Sequence, residues 1–369
     1  MDIDAARSLF PVCENFTYLN NAAESPMNLL VKKALDDYVD QALTRPQEKQ
    51  SPRDGVRRRC AALFGGAAED YALVTSTGVG IGLVARGFPW RPGDNVVLPA
   101  DEHWNNTFPW LALRPLGVEV RLVEPEADER VPVAKMAAAI DDRTRIVATA
   151  AVRFTSGFRA DLPRLSALAH AKGALFLVDA IQAAGVCPLD VAADGIDIMA
   201  AAGFKWLLGQ PGCGFLYLNA KARGLVEPLL PGMFAAVNDF RRLEYYDDAR
   251  RYETGTFAYP LFHAWTAGLD LLAAVGIPNI HRRVMELTSY LAARLAGSAL
   301  QVVTPMDFEA ERSAIVTCTS GNAGADKALV QQLADRNVIV ALRDGRVRIS
   351  PNFFNTEADI DQLVEELRG

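Results

Sequence analysis

Short apolar runs alternate with amphipathic stretches over roughly the first two thirds of the chain. The runs are bounded by turn residues and predict buried strands at 71–74, 95–99, 118–123, 145–151, 174–179, 196–200 and 214–218. Apolar positions three and four residues apart predict helices at 28–43, 56–63, 80–88, 133–140 and 162–172. This alternation predicts an α/β fold, with a mostly parallel sheet that carries helices on both faces.

The pattern changes near residue 259, where longer helical segments replace the alternation. The sequence then predicts helices at 264–274, 280–296, 327–336 and 357–367, and strands at 302–303, 314–319, 338–342 and 346–349. These elements are typical of a smaller α+β domain. We therefore predict a large domain over 15–272 and a small domain over 273–369, which also includes 1–14.

Composition narrows the classes of function. The chain has 369 residues and a net charge of −7, so charge gives no reason to expect binding to nucleic acid or to an anionic membrane. No apolar run is long enough to span a membrane, and the acidic start of the chain is unlike a signal peptide. The five cysteines are scattered without a CxxC pair, and the four histidines lack metal-ligand spacing. These features predict a cytoplasmic protein with reduced thiols and no metal site.

Two polar side chains lie in otherwise apolar segments. Asp179 ends the predicted strand at 174–179, and Lys205 lies among small and apolar residues at 199–209. Burial of a lysine lowers the pKa of its amine, and the neutral amine can form a Schiff base. A buried carboxylate can keep a pyridine nitrogen protonated. The pair therefore indicates a pyridoxal phosphate enzyme.

A glycine-rich turn after the first predicted strand is a candidate anion site. Thr77 and Gly78 open the predicted helix, where free backbone N–H groups can bind a phosphate. A simple strand-to-helix turn is the plain alternative. A nicotinamide-dependent oxidoreductase is another, because Asp101 follows the next strand as a ribose-binding acid would. The glycine spacing fails the GxGxxG pattern, however, and this alternative leaves Lys205 unexplained.

Three further polar residues are candidates because of their positions. His103 follows the strand at 95–99 and can stack on a planar cofactor or transfer a proton. Gln182 lies one helical turn after Asp179 and can donate to a ligand oxygen. Arg348 lies on a predicted strand, on the same face as Arg346, and a guanidinium can bind a carboxylate with two hydrogen bonds. Taken singly, a loop histidine and a surface salt bridge are the plain interpretations.

Together these segments resemble the class V aminotransferase family of fold-type I pyridoxal phosphate enzymes. The family includes cysteine desulfurases, selenocysteine lyases, isopenicillin N epimerases and kynureninases. The resemblance extends from Tyr18-Leu-Asn-Asn-Ala-Ala23 to Arg348-Ile-Ser-Pro-Asn-Phe-Phe-Asn355. It implies a fold-type I transferase that binds pyridoxal phosphate and an amino acid substrate. It also implies a homodimer with active sites at the interface.

The resemblance assigns roles residue by residue. It implies that Lys205 forms the Schiff base and that Asp179 faces the pyridine nitrogen, with His103 as the third catalytic residue, stacked on the ring. The implied cofactor-binding residues are Thr77, Gly78, His103, Asp179, Gln182, Lys205, Gly255 and Thr256, the last two reaching the phosphate across the dimer interface. The implied substrate-binding residues are Arg348 for the α-carboxylate, with Asn20, Asn21 and Ala22 nearby. From its position alone, Arg153 is a further candidate for binding a distal acidic group of the substrate.

The chain also departs from the desulfurases of this family. Desulfurases carry a cysteine on a loop shortly before the carboxylate-binding arginine, and the corresponding stretch 338–345 has none. Sulfur transfer needs a thiolate acceptor, so a persulfide-forming desulfurase is disfavoured. Ala202 and Phe204 replace a serine and a histidine near the lysine, which also leaves open a weakly catalytic protein that binds the cofactor and has an interaction role. The stretch 152–162 is more similar to the epimerases and kynureninases.

The sequence therefore predicts an enzyme that forms an α-carbanion from an amino acid through Lys205. Transamination and β-elimination, for example by a C–S lyase, are equally compatible with the residues. An amino-acid epimerase or a kynureninase-like hydrolase is the next alternative, and the nicotinamide-dependent oxidoreductase is a remote one.

Overall fold

A computed structural model describes residues 3–237 and 241–367 of the chain. The described strands are β1 Thr17–Tyr18, β2 Tyr71–Val74, β3 Asn95–Pro99, β4 Glu119–Val123, β5 Thr144–Ala150, β6 Leu175–Asp179, β7 Ile198–Ala202, β8 Gly214–Leu218, β9 Gln301–Val302, β10 Val316–Thr319, β11 Val338–Ile339, β12 Ala341–Arg343 and β13 Arg346–Ile349. The described α-helices are α1 Ile3–Arg7, α2 Val12–Asn15, α3 Leu29–Thr44, α4 Arg53–Phe64, α5 Thr77–Gly87, α6 Trp104–Leu111, α7 Val133–Ala139, α8 Leu162–Ala171, α9 Ala220–Leu225, α10 Tyr259–Val275, α11 Ile277–Leu295, α12 Ala323–Asp335 and α13 Glu357–Glu366.

All seven strands predicted in the first part of the chain form one sheet, in the order β2-β8-β7-β6-β5-β3-β4. Only β8 runs antiparallel to its neighbours, so the prediction of a mostly parallel sheet is confirmed. In the register, Asp179 pairs with Ala150 on one side and Ala200 on the other. The carboxyl ends of β5, β6 and β7 therefore lie side by side, where ligands bind in sheets of this kind.

Both faces of this sheet are covered by apolar side chains from helices. Alternate residues of β6 point to opposite faces, so Phe176 lies in one apolar cluster and Leu177 in another. The first cluster also contains side chains of α4, α8 and α10, and the second contains side chains of α5 and α6. Burial on both faces explains why the strands are apolar throughout rather than alternating.

Polar side chains set where the helices begin. Asn28 caps α3 by accepting hydrogen bonds from Leu30 N and Val31 N, which agrees with the predicted start to within one residue. The start predicted for α5 at residue 80 was wrong by three residues. Ser76 caps this helix by accepting from Val79 N, so Thr77 and Gly78 form its first turn.

The C-terminal part contains an antiparallel sheet in the order β12-β13-β10-β9. The single strand predicted at 338–342 was wrong. The strand is interrupted at Val340, because β11 pairs with β1 near the start of the chain whereas β12 pairs with β13 in a hairpin. An apolar cluster fills the space between this sheet and helices α11, α12 and α13. The domain boundary at 272/273 stays a prediction.

Helices α10 and α11 follow one another directly, separated by Gly276. No single helix in residues 3–237 and 241–367 is long and apolar enough to cross a membrane. These two pass that test only when taken together, and they are bent by 77° where they meet.

Candidate active site

A cavity opens at the carboxyl ends of β5, β6 and β7. Its lining brings together residues from five segments that are distant in the sequence. The lining residues used below are Ser76, Thr77, Asp101, Glu102, His103, Asn105, Arg153, Phe154, Asp179, Gln182 and Lys205.

Lys205 lies in the connection 203–213 between β7 and β8. Gly203 begins that connection against the ring of Trp265, where an added Cβ would approach Cε2 to 2.8 Å, so a larger residue does not fit. The Lys205 side chain is 9% exposed. Burial, together with the positive charges of Arg348 and Arg343, lowers the pKa of its amine to about 7, whereas the charge of Asp179 opposes the shift. A large fraction of Lys205 is therefore neutral near pH 7.

Asp179 ends β6 in the same cavity. One oxygen, Oδ1, accepts a hydrogen bond from Ile181 N at 3.0 Å. Burial raises the pKa of this carboxyl to about 6, against the lowering effects of that hydrogen bond and of Lys205. The lysine amine and the carboxylate thus lie in one buried space with their pKa values brought close together.

Gln182 lines the cavity but is held by protein partners. Its Oε1 accepts from the indole N–H of Trp206 at 3.0 Å, and its Nε2 donates to the carbonyl of Ala22 at 3.0 Å. The second hydrogen on Nε2 is the group left for a ligand oxygen. The link to Ala22 also ties the start of the chain to the cavity.

His103 caps helix α6 with its ring. Nδ1 accepts from Asn105 N at 3.1 Å, which requires an unprotonated Nδ1. The ring packs edge-on against Phe154, with centroids 5.1 Å apart. Burial lowers the pKa of His103, as do the charges of Lys205, Arg343 and Arg348. The imidazole is therefore neutral, with its proton on Nε2.

The first turn of α5 lies at one end of the cavity. Thr77 Oγ1 accepts from Ala202 N at 2.9 Å, which fixes this turn against the end of β7. An added Cβ on Gly78 would lie 3.1 Å from the Asn105 side chain, so a glycine lets the two segments approach. The N–H groups of a helix N-terminus can bind an anion, and the phosphate role predicted from the glycine-rich turn stays a prediction.

Arg348 is almost fully buried next to the cavity, with 1% of its surface exposed. Its Nη1 donates to the carbonyl of Phe154 at 2.9 Å, whereas Nε and Nη2 have no hydrogen-bond partner in the described residues. Burial lowers the pKa of this guanidinium, and the charge of Arg343 adds to the effect. A buried cation with unused donors is costly unless an anion binds to it.

The segment at 20–22 lies against the strand end that carries Arg348. Asn20 forms an isolated bridge with Ser350, and Asn21 Nδ2 donates to the carbonyl of Ser350 at 2.9 Å. The N–H of Ala22 donates to the hydroxyl of Ser350 at 3.0 Å. Asn20 Oδ1 is buried without a hydrogen-bond partner in the described part of the chain, so it is available to a ligand.

Arg153 lies in the cavity wall, but carboxylates engage its guanidinium. Nη1 donates to Glu102 Oε1 at 2.9 Å, and Nη2 contacts Asp101. Glu102 also accepts from Ala150 N and from the Asn106 side chain. Burial raises the pKa of Glu102 and lowers that of Arg153. The pairing also accounts for Asp101 without a nucleotide ribose.

Two predicted cofactor residues are not brought to this cavity within one chain. Gly255 and Thr256 are absent from its lining. The buried carboxylate before them, Glu253, instead accepts from Arg57 Nη1 at 2.5 Å and from Leu73 N at 2.9 Å. A role for Gly255 and Thr256 across a dimer interface stays a prediction.

The lining residues fit pyridoxal phosphate by their chemistry. Lys205 supplies a neutral amine, Asp179 a buried carboxylate and the first turn of α5 an anion site, all in one cavity. His103 supplies a flat neutral ring beside them. In residues 3–237 and 241–367 no group of three or more His, Cys, Asp or Glu side chains could hold a metal ion.

The family model for class V aminotransferases (Aminotransferase class-V) matches residues 17–363. The chain belongs to this family. The predictions of the family and of pyridoxal phosphate as its cofactor are thereby confirmed.

Individual relatives agree with this membership. The chain is 28% identical to a probable cysteine desulfurase of Methanothermobacter thermautotrophicus, over 100% of this chain and 98% of the relative. It is also 28% identical to the uncharacterized aminotransferase YcbU of Bacillus subtilis, over 98% and 96%. Among solved structures, the cysteine desulfurase CsdA of Escherichia coli matches with a TM-score of 0.90 at 22% identity, over 100% and 98% of the two chains. That likeness confirms the fold-type I architecture.

Sequence reasoning missed two residues at this site. Glu102 binds Arg153, a partner 51 residues further along the chain. Arg343 affects the pKa values of Lys205 and His103, but it received no role. The signal for Arg343 was available in Asp344-Gly345, a dipeptide typical of two-residue hairpin turns, which places position 343 opposite 346.

Proposed function

We propose that this class V enzyme uses Lys205 to move the α-proton of an amino acid, and that it completes either transamination or β-elimination. One observation carries the proposal. The neutral amine of Lys205 lies in the same buried cavity as Asp179, next to the unpaired guanidinium of Arg348.

Each residue then has a task set by its environment. Arg348 has two unused donors, so it binds the α-carboxylate and orients the Cα–H bond. Lys205 is buried and largely neutral, so its Nζ accepts the α-proton as a general base. Asp179 would hold a proton on the pyridine nitrogen of the cofactor. Bound pyridoxal phosphate supplies an electron-withdrawing ring that stabilises negative charge at Cα.

The cysteines argue against sulfur transfer to an enzyme thiol. None of Cys13, Cys60, Cys187, Cys213 and Cys318 lines the cavity, and burial raises the pKa of each thiol. A thiol with a raised pKa is a poor nucleophile. Transamination and elimination need no acceptor thiol. An epimerase is less favoured, because Lys205 is the only lysine in the cavity lining and His103 uses Nδ1 as a helix cap.

Product analysis tests this proposal. The holoenzyme is incubated with a panel of neutral, acidic and sulfur-containing amino acids, with and without an acceptor keto acid. A transaminase produces a new keto acid only in stoichiometry with the acceptor. A β-eliminating lyase releases ammonia and pyruvate without an acceptor. If neither product forms from any amino acid in the panel, the proposal fails.

We also propose a homodimer in a reducing, cytoplasmic setting. Two aromatic side chains on one face of α6 support the dimer, since Trp104 is 64% exposed and Phe108 is 59% exposed beside the cavity. The five free cysteines support the setting. Sedimentation velocity tests the dimer, and a single species at 40.1 kDa would contradict it.

A further inference from the structure

The hairpin that carries Arg348 presents three arginines on one face. Asp344 and Gly345 link its strands with φ values of 49° and 73°, as a two-residue turn with positive φ at both positions requires. The register places Arg343 directly opposite Arg346, and Arg348 lies two residues further along β13. Directly opposite residues share a face, as do residues two apart in a strand. All three guanidinium groups therefore extend from the same side.

Only one of these three cations has an acidic partner among the described residues. Arg346 Nη1 binds Glu129 Oε1 at 2.6 Å. The Nη1 of Arg343 donates to the carbonyl of Leu342 at 2.8 Å, and no carboxylate in residues 3–237 and 241–367 forms a salt bridge with it. Arg348 likewise has only the carbonyl of Phe154. The buried charge of Arg348 is left unmatched, which favours an anionic ligand, and the half-buried Arg343 adds a second cation without a carboxylate partner to the same face.

The charge on this face reaches the cavity. Arg343 lies diagonally across the hairpin from Arg348. Its charge lowers the pKa values of Lys205, His103 and Arg348. Diagonal neighbours in a hairpin have Cβ atoms roughly 7–8 Å apart, a span that long side chains can bridge. Arg343 and Arg348 can therefore bind two anionic groups of one small molecule. Arg343 is the better candidate for a distal acid than Arg153, whose guanidinium already binds Asp101 and Glu102.

We propose that Arg343 binds a second anionic group, on the side chain of the substrate, while Arg348 binds the α-carboxylate. The substrate class is then the α-amino acids whose side chain ends in a carboxylate or another oxyanion. This inference rests on the proposed function, since it names the substrate of the same site.

Calorimetric titration of the holoenzyme with two unreactive probes separates the second anion from the rest of the ligand. Glutarate carries two carboxylates, and butyrate carries one. We expect glutarate to bind roughly ten-fold or more tightly than butyrate, because a hydrogen bond to a charged group contributes that much. Arg343→Gln should abolish the preference by weakening glutarate binding far more than butyrate binding, and Arg343→Lys should retain part of it.

Arg346→Gln is the matched control, because Arg346 lies opposite in the same turn but already binds Glu129. It should keep the glutarate preference. Equal binding of the two probes to the unchanged enzyme would overturn the inference, as would a preference that survives Arg343→Gln. Inorganic phosphate that binds as tightly as glutarate would indicate a general anion site and would also overturn it.

Turnover of amino acids separates this inference from the proposed function. If neutral amino acids react as efficiently as acidic ones, the proposed function stands and the role of Arg343 is wrong. If no amino acid reacts, the proposed function fails, whatever the probes show.

Discussion

Two regions at the cavity surround a buried arginine in opposite ways: the sheet wall, which includes Arg153 of the cavity lining, and the hairpin β12-β13 next to the cavity, called here the hairpin wall. On the sheet wall, Arg153 is 1% exposed and binds the carboxylates of Asp101 and Glu102. On the hairpin wall, Arg348 is equally buried but has no carboxylate partner in the described residues. This difference indicates that Arg153 stabilises the fold, whereas Arg348 is available to bind a ligand.

The same contrast separates stability from function. A paired buried charge destabilises the protein when its partner is removed, because the remaining charge is left uncompensated. An unpaired buried charge is costly to the free protein, and removing it should stabilise the fold while weakening ligand binding. Substitutions on the two walls should therefore act in opposite directions.

The largest expected effect comes from Lys205, which lies between the walls. Lys205→Ala removes the general base, and we expect the rate of amino acid turnover to fall by roughly 10⁴-fold. The apoprotein should be at least as stable as before, because a buried amine is lost. Steady-state kinetics and thermal unfolding measure the two effects. Turnover within ten-fold of the unchanged enzyme would exclude Lys205 as the base.

On the sheet wall, Arg153→Met should reduce the free energy of unfolding by about 3–5 kcal/mol, because Glu102 loses its cation. Burial raises the pKa of Glu102 from 4.5 to about 8, so the folded state holds more protons than the unfolded state between these values. Stability of the variant should therefore fall as the pH rises through this window.

Urea unfolding of this variant at pH 5 and pH 8 measures that change. Arg164→Met is a suitable control, since Arg164 is 72% exposed and its ion pair with Asp161 contributes little. A variant at 153 that is as stable as the control at both pH values would show that the buried pair does not hold the wall together.

On the hairpin wall, Arg348→Met should raise the free energy of unfolding of the apoprotein by about 1–3 kcal/mol, because an unpaired buried cation is removed. The same change should lower kcat/KM by roughly 10²-fold or more, since the α-carboxylate loses its partner. Thermal unfolding and kinetics on one preparation measure both. A variant that loses stability would show that Arg348, like Arg153, stabilises the fold.

A smaller effect should appear in the pH profile. Lys205 has a pKa lowered to about 7 and acts in its neutral form once the substrate is bound, so kcat should rise with pH through about 7. The charge of Arg343 contributes to that lowering, so Arg343→Gln should move the rise to higher pH. A rise that moves to lower pH, or that stays in place, would contradict the electrostatic coupling of the hairpin to the base.

The smallest effect should come from the paired arginine of the hairpin. Arg346→Gln should change the free energy of unfolding by no more than about 1 kcal/mol, because its ion pair with Glu129 is partly exposed. Turnover should stay unchanged. Urea unfolding checks the first value, and a loss above 2 kcal/mol would show that the pair supports the hairpin far more than its exposure indicates.

Local sequence patterns were sufficient to predict the sheet and the two central residues of the candidate site, Asp179 and Lys205. The apolar run that ends in Asp179 and the apolar surroundings of Lys205 both follow from neighbouring residues. The break at Val340 and the pairing of Arg153 with Glu102 depend on segments far apart in the chain. Such pairings are set by tertiary packing, which a single sequence does not display. For that reason the sequence could not show that Arg153 is paired with carboxylates whereas Arg348 is not.

The most direct test of the account is a single-turnover visible spectrum of the holoenzyme with aspartate or glutamate, alongside alanine as a neutral amino acid. The account predicts that an acidic amino acid changes the absorption band of the bound cofactor and that the corresponding product appears at the same rate. It also predicts that Lys205→Ala abolishes product formation. A holoenzyme whose spectrum no amino acid changes would contradict the central claim that this cavity performs amino acid chemistry at Lys205.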